Sequence, residues 1–188
     1  MLYQAAKRLM DILGALLGLL FTALIYLPLA LAIKFDSPGP IFFAHERVGK
    51  DLRSFKCYKF RTMYLNSDRH EPEPNPDDKR VTRVGRFLRR TSLDELPQFF
   101  NILRGEMSLV GPRPIVQEEI HYYGNDFELY TSVLPGLSGL WQVSGRRNVQ
   151  YPERVWLDAY YVRNRSIWLD LLILFKTFWV VLKRDGAY

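Results

Sequence analysis

The chain has 188 residues, a length that suits one compact domain and little more. Its 26 Lys and Arg residues exceed its 20 Asp and Glu residues, and the net charge of +6 favours anionic partners: phosphates, nucleic acid or an acidic membrane surface. The 12 Phe, 11 Tyr and 4 Trp residues exclude a disordered basic tail. The single cysteine, Cys57, excludes an internal disulfide and is predicted to be a buried thiol.

The first element is an apolar run without charges over residues 12–33, which is long enough to cross a bilayer as one helix. Pro28 lies inside the run and removes a helical hydrogen bond, so a bend or break is predicted there. Lys7 and Arg8 precede the run and Lys34 follows it, so the positive-inside rule assigns no direction. The residues alone leave open a re-entrant helix, a straight span and a buried core helix.

The next elements are two short aromatic segments, residues 41–49 and 54–63, which are predicted to be strands or extended chain. A polar, proline-rich loop over residues 66–78 follows. Residues 79–90 contain six cations and no acid, and a helix there would place Arg83, Arg86 and Arg90 on one face.

The second half of the chain is predicted to be mostly helical. An apolar stripe of Leu93, Leu96, Phe100 and Leu103 indicates a helix. The glycine-rich segment 134–148 is predicted to be a loop, and residues 151–183 have a helical pattern. The last part of that pattern carries two charged residues and is typical of a core or interfacial helix rather than a second span.

Two adjacent acids, Asp94 and Glu95, can be explained in two ways. Ser92 and Glu95 match a capping box, in which the acids only complement a helix dipole. With Ser92 as the cap, Pro97 deletes a helical bond, whereas with Asp94 as the cap it costs none. The sequence leaves both registers open.

The functional interpretation of the pair starts from electrostatics. Adjacent helical residues point about 100° apart, so one carboxylate can approach a phosphorus atom while the other holds a metal. A carboxylate approaches a pyrophosphate only if cations neutralise the phosphates, and arginines and Mg²⁺ suit that task. A carboxylate can also act as a nucleophile towards phosphorus. Phosphate chemistry is therefore favoured over a plain helix cap.

The stretch TSLDELPQFFNILRGEMSLVGPRP resembles the signature of the bacterial sugar transferases, which are monotopic phosphoglycosyl transferases. SPGPIFF, ERVG, YKFRTM, LPGLSGLWQVSGR and DAYYV…LDLLILFKT follow in the family's order and cover nearly the whole chain. The resemblance implies transfer of a sugar 1-phosphate from a UDP-sugar to undecaprenyl (polyprenol) phosphate, at the first membrane step of surface glycan assembly. The ending of the chain is similar to members that handle galactose or glucose.

The resemblance also implies roles for individual residues. Asp94 would attack the β-phosphorus and release UMP, and Glu95 would hold Mg²⁺. The family's phosphate-binding cations correspond to Lys59, Arg89, Arg113 and Arg146. The cations Arg61, Arg86 and Arg90 are expected to serve the membrane surface or the fold instead.

The implied fold is α+β and predominantly helical. Residues 1–36 would form a re-entrant membrane helix broken near Pro28, and residues 37–188 a compact cytoplasmic catalytic domain with a few short strands. Family members often have serine before that proline, and this chain has Leu27. The enzyme would be monotopic in the bacterial inner membrane, with a UDP-sugar, undecaprenyl phosphate and membrane lipids as partners, no nucleic acid, and an oligomer possible.

Two other functions remain open at this point. A membrane-anchored binding module would use the basic face to hold an anionic partner and would tolerate loss of Asp94. An aspartyl-phosphate phosphohydrolase would use water, rather than a lipid phosphate, to resolve the same intermediate.

Overall fold

The computed structural model describes residues 2–65, 78–145 and 149–183. The described part is α+β and mostly helical, which confirms the predicted class. Its helices and strands, in chain order, are α1 (Leu2–Asp36), β1 (Phe42–Val48), β2 (Ser54–Phe60), α2 (Arg83–Thr91), α3 (Gln98–Arg104), β3 (Ser108–Val110), α4 (Phe127–Thr131), β4 (Gly136–Ser138), α5 (Leu140–Ser144), α6 (Glu153–Asn164) and α7 (Ile167–Lys183). Single 3₁₀ segments lie at Lys50–Leu52, Leu93–Glu95, Gln117–Tyr122 and Gly124–Asp126.

Helix α1 lies along the rest of the molecule over nearly its whole length. The buried residues recur every three or four positions or multiples of these, and form one stripe: Asp11, Ala15, Thr22, Ala30 and Ile33. The opposite side exposes a series of leucines, including Leu13, Leu17, Leu20, Leu24 and Leu27. The helix is therefore apolar on both sides, and only one side is covered by protein.

Helix α1 is the one helix among the described residues that is long and apolar enough to cross a membrane. The helical assignment continues through Pro28, so the helix does not end at the proline. The re-entrant path of this helix in a bilayer, and a bend at Pro28, stay predictions.

The two segments predicted as strands or extended chain form strands β1 and β2, which pair in an antiparallel hairpin with Phe42 opposite Phe60 and Val48 opposite Ser54. Cys57, in β2, is buried as predicted. The other edge of β2 is covered by a side chain rather than a strand: Asn101 of α3 accepts from the Tyr58 amide (3.1 Å) and donates to the Lys56 carbonyl (2.8 Å). This contact attaches α3 to the hairpin.

The expectation of a loop over residues 134–148 was wrong, because β4 and α5 lie within it. β4 pairs in parallel with β3, which is about 28 residues earlier in the chain. No local sequence pattern predicts a pairing between such distant segments. The backbones of these two segments lie very close together. A Cβ atom on Gly136 would lie 2.1 Å from the Gly111 amide nitrogen, so only glycine fits there.

Helices α6 and α7 confirm the helical pattern predicted for the C-terminal stretch. They join α1 through a buried carboxylate, Asp170, which is fully buried. It accepts from the Tyr161 hydroxyl (2.6 Å), the Lys7 ammonium (3.0 Å) and the Tyr3 hydroxyl (3.1 Å). Because these partners come from α1 and α6, Asp170 ties three helices together.

Candidate active site

The acidic pair occupies the 3₁₀ turn Leu93–Glu95 between α2 and α3. Ser92 has φ 56° and ψ 16° and makes no side-chain capping bond, and α3 begins only at Gln98, after Pro97. Neither of the two predicted capping registers is therefore present. The turn leaves Asp94 buried and Glu95 half-buried, so the two carboxylates have different environments.

Lys59 of β2 lies beside the pair. Its Nζ donates to Glu95 Oε1 at 2.7 Å, and both side chains are about a third exposed. Burial lowers the pKa of Lys59, but the carboxylates of Glu95 and Asp94 outweigh burial and raise it. The ammonium is therefore held in its charged form next to both acids.

The Asp94 carboxyl titrates near neutral pH. Burial raises its pKa to about 6, with Lys59 and Arg89 lowering the value and Glu95 raising it. Removing a carboxylate from water disfavours its charged form, and two cations only partly compensate. A carboxylate of this kind is poorly solvated when ionised, which favours reaction with an electrophile.

Arg89 comes to the site on α2, whose position is set at its N-terminus. The Thr82 hydroxyl accepts from the Gly85 amide (2.9 Å), and Asp36 at the end of α1 accepts from the Val84 amide (2.9 Å). The Arg89 Nε donates to the Thr62 hydroxyl (2.9 Å). α2 thus places Arg89 within electrostatic reach of Asp94.

Arg113 follows β3 in the GPRP turn. Its backbone carbonyl accepts from the buried Tyr130 hydroxyl at 3.0 Å, and its guanidinium lies 5.7 Å from the centre of the Trp141 ring. The same guanidinium lowers the pKa of Lys59, so it lies close to that ammonium. Residues of β2 and α2 therefore lie close to Asp94 in its 3₁₀ turn, and the GPRP turn places Arg113 near Lys59.

The remaining predicted cations divide into three groups. Arg146 lies outside the described residues. Arg61 is buried and donates to the carbonyls of Ser37 (2.7 Å) and Pro38 (2.5 Å), which confirms a role in the fold at the end of α1. Arg83, Arg86 and Arg90 are exposed on α2.

Two residues that position the site, Asn101 and Gly85, were not predicted from the sequence. Asn101 is fully buried, and its contact with β2 brings the strand that carries Lys59 against the helix that follows Asp94. A lone polar residue in the apolar run FFNIL was the available signal. Gly85 lies against Thr62: a Cβ atom there would be 2.1 Å from the Thr62 carbonyl oxygen.

The sequence profile of the family described as "Bacterial sugar transferase" matches residues 2–184. The chain belongs to this family. Because the match covers nearly the whole chain, every element of the site described above lies inside the family's domain. The resemblance that the motifs indicated is thereby confirmed.

Individual relatives of the chain carry more specific names than the family does. The chain is 49% identical to a UDP-galactose-lipid carrier transferase of Erwinia amylovora and 46% identical to an undecaprenyl-phosphate galactose phosphotransferase of Salmonella typhimurium, over 97% of this chain but 41% of each relative. It is 46% identical to the exopolysaccharide production protein ExoY of Sinorhizobium fredii, over 97% of this chain and 88% of that protein. The chain thus spans about two-fifths of the first relatives and most of the third.

The residues of the candidate site fit a divalent cation shared with a substrate better than a cation held by protein alone. No group of three or more His, Cys, Asp or Glu side chains capable of holding a metal occurs among the described residues. Mg²⁺ prefers carboxylate oxygens and commonly uses one or two of them together with substrate phosphates. Glu95, half-buried at the edge of the acidic pair, has that chemistry.

Proposed function

We propose that this protein transfers a sugar 1-phosphate from a UDP-sugar to undecaprenyl phosphate and releases UMP, at an early step of surface glycan assembly. One observation carries the proposal: a buried aspartate, Asp94, lies within electrostatic reach of Lys59 and Arg89, and Arg113 lies near Lys59. Cations converging on a nucleophilic carboxylate suit a pyrophosphate substrate. The relatives named as phosphotransferases on undecaprenyl phosphate support the same reaction.

The proposed chemistry has two displacements. The Asp94 carboxylate oxygen attacks the β-phosphorus of the UDP-sugar, and the bond from that phosphorus to the bridging oxygen breaks, so UMP leaves with the electron pair. The sugar phosphate is then joined to Asp94. An oxygen of undecaprenyl phosphate attacks the same phosphorus, and the Asp94 carboxylate is released unchanged.

The other residues of the site would serve charge and position. Arg89 and Arg113 would bind phosphate oxygens through their planar guanidiniums, and Lys59 would add a third positive charge while orienting Glu95. Glu95 would hold Mg²⁺, which supplies further neutralisation of the pyrophosphate charge. Asp94 would need to be ionised to react.

The arrangement of α1 supports a monotopic position, and a cytosolic UDP-sugar donor would require the catalytic domain on the cytoplasmic face of the inner membrane. A helix of 35 residues is about 50 Å long, more than a hydrocarbon core of about 30 Å. Yet Lys7 near its start and Asp36 at its end both contact the same domain. A straight span would separate these ends by the bilayer, whereas a helix inserted from one face keeps both ends with the domain.

The names of two relatives favour galactose 1-phosphate as the transferred group. The test is UMP release from a panel of UDP-sugars, with Mg²⁺ and undecaprenyl phosphate, for the native protein, Asp94→Asn and the matched control Asp126→Asn. Asp126 is paired with Arg163 at the surface and lies in a different part of the fold. Steady lipid-dependent release with one donor, lost in Asp94→Asn and kept in Asp126→Asn, is the expected result.

Two outcomes favour other functions. Sustained UMP release without lipid at the rate seen with lipid indicates the phosphohydrolase, whereas the transferase releases at most one UMP per enzyme before it stops. No release from any donor by folded protein returns the pair to a structural role and favours the binding module.

A further inference from the structure

Two guanidiniums lie near one buried tryptophan beside the site. Trp141 of α5 is 4% exposed. The Arg154 guanidinium lies 4.5 Å from the centre of its ring, and the Arg113 guanidinium lies 5.7 Å from it. Both distances are within the range at which a cation is attracted to an aromatic face, and tryptophan provides the strongest such attraction.

Arg154 is the anchored member of this group. It is 8% exposed, and its Nε donates to the Val149 carbonyl at 2.8 Å. Its guanidinium also lies 5.3 Å from the Tyr151 ring. A buried arginine held by a carbonyl and two rings has little freedom to move, so it presents a stable surface to Trp141.

The two guanidiniums share a second neighbour. Asp158 of α6 is 1% exposed and accepts from the Tyr123 hydroxyl at 2.8 Å, and its other oxygen accepts no hydrogen bond from the described residues. Burial raises the pKa of Asp158 to about 8, and the Tyr123 bond, Arg113 and Arg154 lower it against that burial. Both cations therefore lie near one buried carboxyl, which is independent support for their convergence.

We propose that Trp141, which Arg154 also contacts, is a positioning residue that holds the Arg113 guanidinium in place for the pyrophosphate of the nucleotide-sugar donor. This inference rests on the proposed function, because Arg113 matters only if a phosphate binds there. An arginine side chain in water loses rotamer freedom when it binds a ligand, and an arginine already held against a ring loses less. Trp141 thus strengthens donor binding without touching the donor.

The test is a double-mutant cycle on kcat/KM for the UDP-sugar, with native, Trp141→Leu, Arg113→Ala and the double variant. Leucine keeps apolar contact with the neighbouring Leu157 but offers no ring face. We expect Trp141→Leu to lower kcat/KM about tenfold in the native background, mainly through KM, and less than about twofold in the Arg113→Ala background. Arg154→Lys, which keeps the charge but loses the planar face, should follow the same pattern with a smaller effect.

A merely structural role predicts a different pattern. If Trp141→Leu lowers kcat/KM by the same factor in both backgrounds, or has no effect, the inference is overturned. Trp156→Leu, on the exposed face of α6 (59% exposed), is the matched control and should leave kcat/KM unchanged. If Trp141→Leu does not fold, Trp141→Phe replaces it: the ring should retain kcat/KM within about threefold, and any loss should again vanish without Arg113.

Failure of the inference and failure of the proposed function are distinguishable. A native enzyme that releases no UMP from any UDP-sugar overturns the proposed function and this inference with it. An active native enzyme whose variants at Trp141 and Arg113 act independently overturns this inference alone.

Discussion

The Asp94 carboxyl, buried next to an ion pair, links ionisation to both reactivity and stability. Its pKa of about 6 reflects burial, opposed by Lys59 and Arg89. An aspartate in water is ionised throughout the physiological pH range, whereas Asp94 changes its charge at the acidic end of that range. The burial of Asp94 therefore predicts how both activity and stability change with pH.

The acidic limb of the pH profile should report Asp94. We expect kcat/KM for the UDP-sugar to fall as pH drops through about 6, because kcat/KM reports the free enzyme and the nucleophile must be ionised. Lys59→Met should move this limb to higher pH, since Lys59 lowers the pKa of Asp94. A limb that stays near pH 4 in both proteins would show that a different group controls the reaction.

The same burial makes a prediction about stability. The pKa of Asp94 is raised from 3.8 on folding, so the folded state binds more protons between those values and loses stability as pH rises through them. Asp94→Asn, which cannot ionise, should therefore increase the free energy of unfolding at pH 7.5 by about 1 kcal/mol. Thermal unfolding at pH 7.5 and pH 4 checks this: the gain should disappear at pH 4, and a loss at pH 7.5 would contradict the assignment.

At the scale of elements, the site depends on how closely α2 approaches the end of β2. Helix α2 carries Arg89, and Gly85 allows it to touch the backbone at Thr62. Asn101 provides the corresponding contact for α3. The first contact is a close approach of two backbones and the second a pair of side-chain hydrogen bonds to backbone, and neither depends on a large apolar side chain.

Gly85→Ala should disrupt this approach. The added methyl group would lie 2.1 Å from a backbone oxygen that cannot rotate away, so α2 must shift. We expect a loss of about 2–3 kcal/mol in the free energy of unfolding and a larger fall in kcat/KM than the lost folded fraction explains. Gly124→Ala is the matched control: its φ is 47° but nothing lies within 4 Å, so it should cost only about 1 kcal/mol and leave kcat/KM intact.

Sequence patterns predicted where the helices and strands lie better than they predicted which of their residues are buried. The apolar stripe that indicated the helix includes Phe100, but Phe100 is 48% exposed, while Gln98 and Asn101 are buried. The periodicity of apolar residues cannot anticipate this, because Asn101 is buried for its hydrogen bonds to β2 rather than for its hydrophobicity. Ser92 matched a capping box in the sequence, but it ends α2 in the αL conformation instead. That conformation has no sequence signature.

At the scale of the whole molecule, α1 is both an apolar surface and part of the fold. Its buried stripe packs on the domain, and its leucine face is open. Asp11 accepts from the Ser108 hydroxyl (2.9 Å) and the Leu109 amide (2.8 Å), next to β3 and the turn with Arg113. The same β3 region therefore supports both helix α1 and the turn that carries Arg113.

Cysteine labelling can test the monotopic topology, because the one native cysteine is buried. In a Cys57→Ala background, Gln4→Cys and Lys34→Cys place exposed thiols near the two ends of α1. Both should react with a membrane-impermeant maleimide from the same side as the domain reference Asn125→Cys, which is the cytoplasmic side. Reaction of the two ends from opposite sides would show a transmembrane span instead.

The sequence by itself predicted the long apolar helix, the two extended segments that form β1 and β2, and the C-terminal helical stretch, which follow from local periodicity and composition. The α+β class and the roles of Glu95, Lys59, Arg89 and Arg113 around Asp94 came from the resemblance of its motifs to the family. Only the tertiary structure decided that Asp94 is buried while Glu95 pairs with Lys59, that β4 joins β3, and that two guanidiniums lie near the Trp141 ring. Burial and pairing between distant segments depend on the packing of the whole chain, which no local window of residues contains.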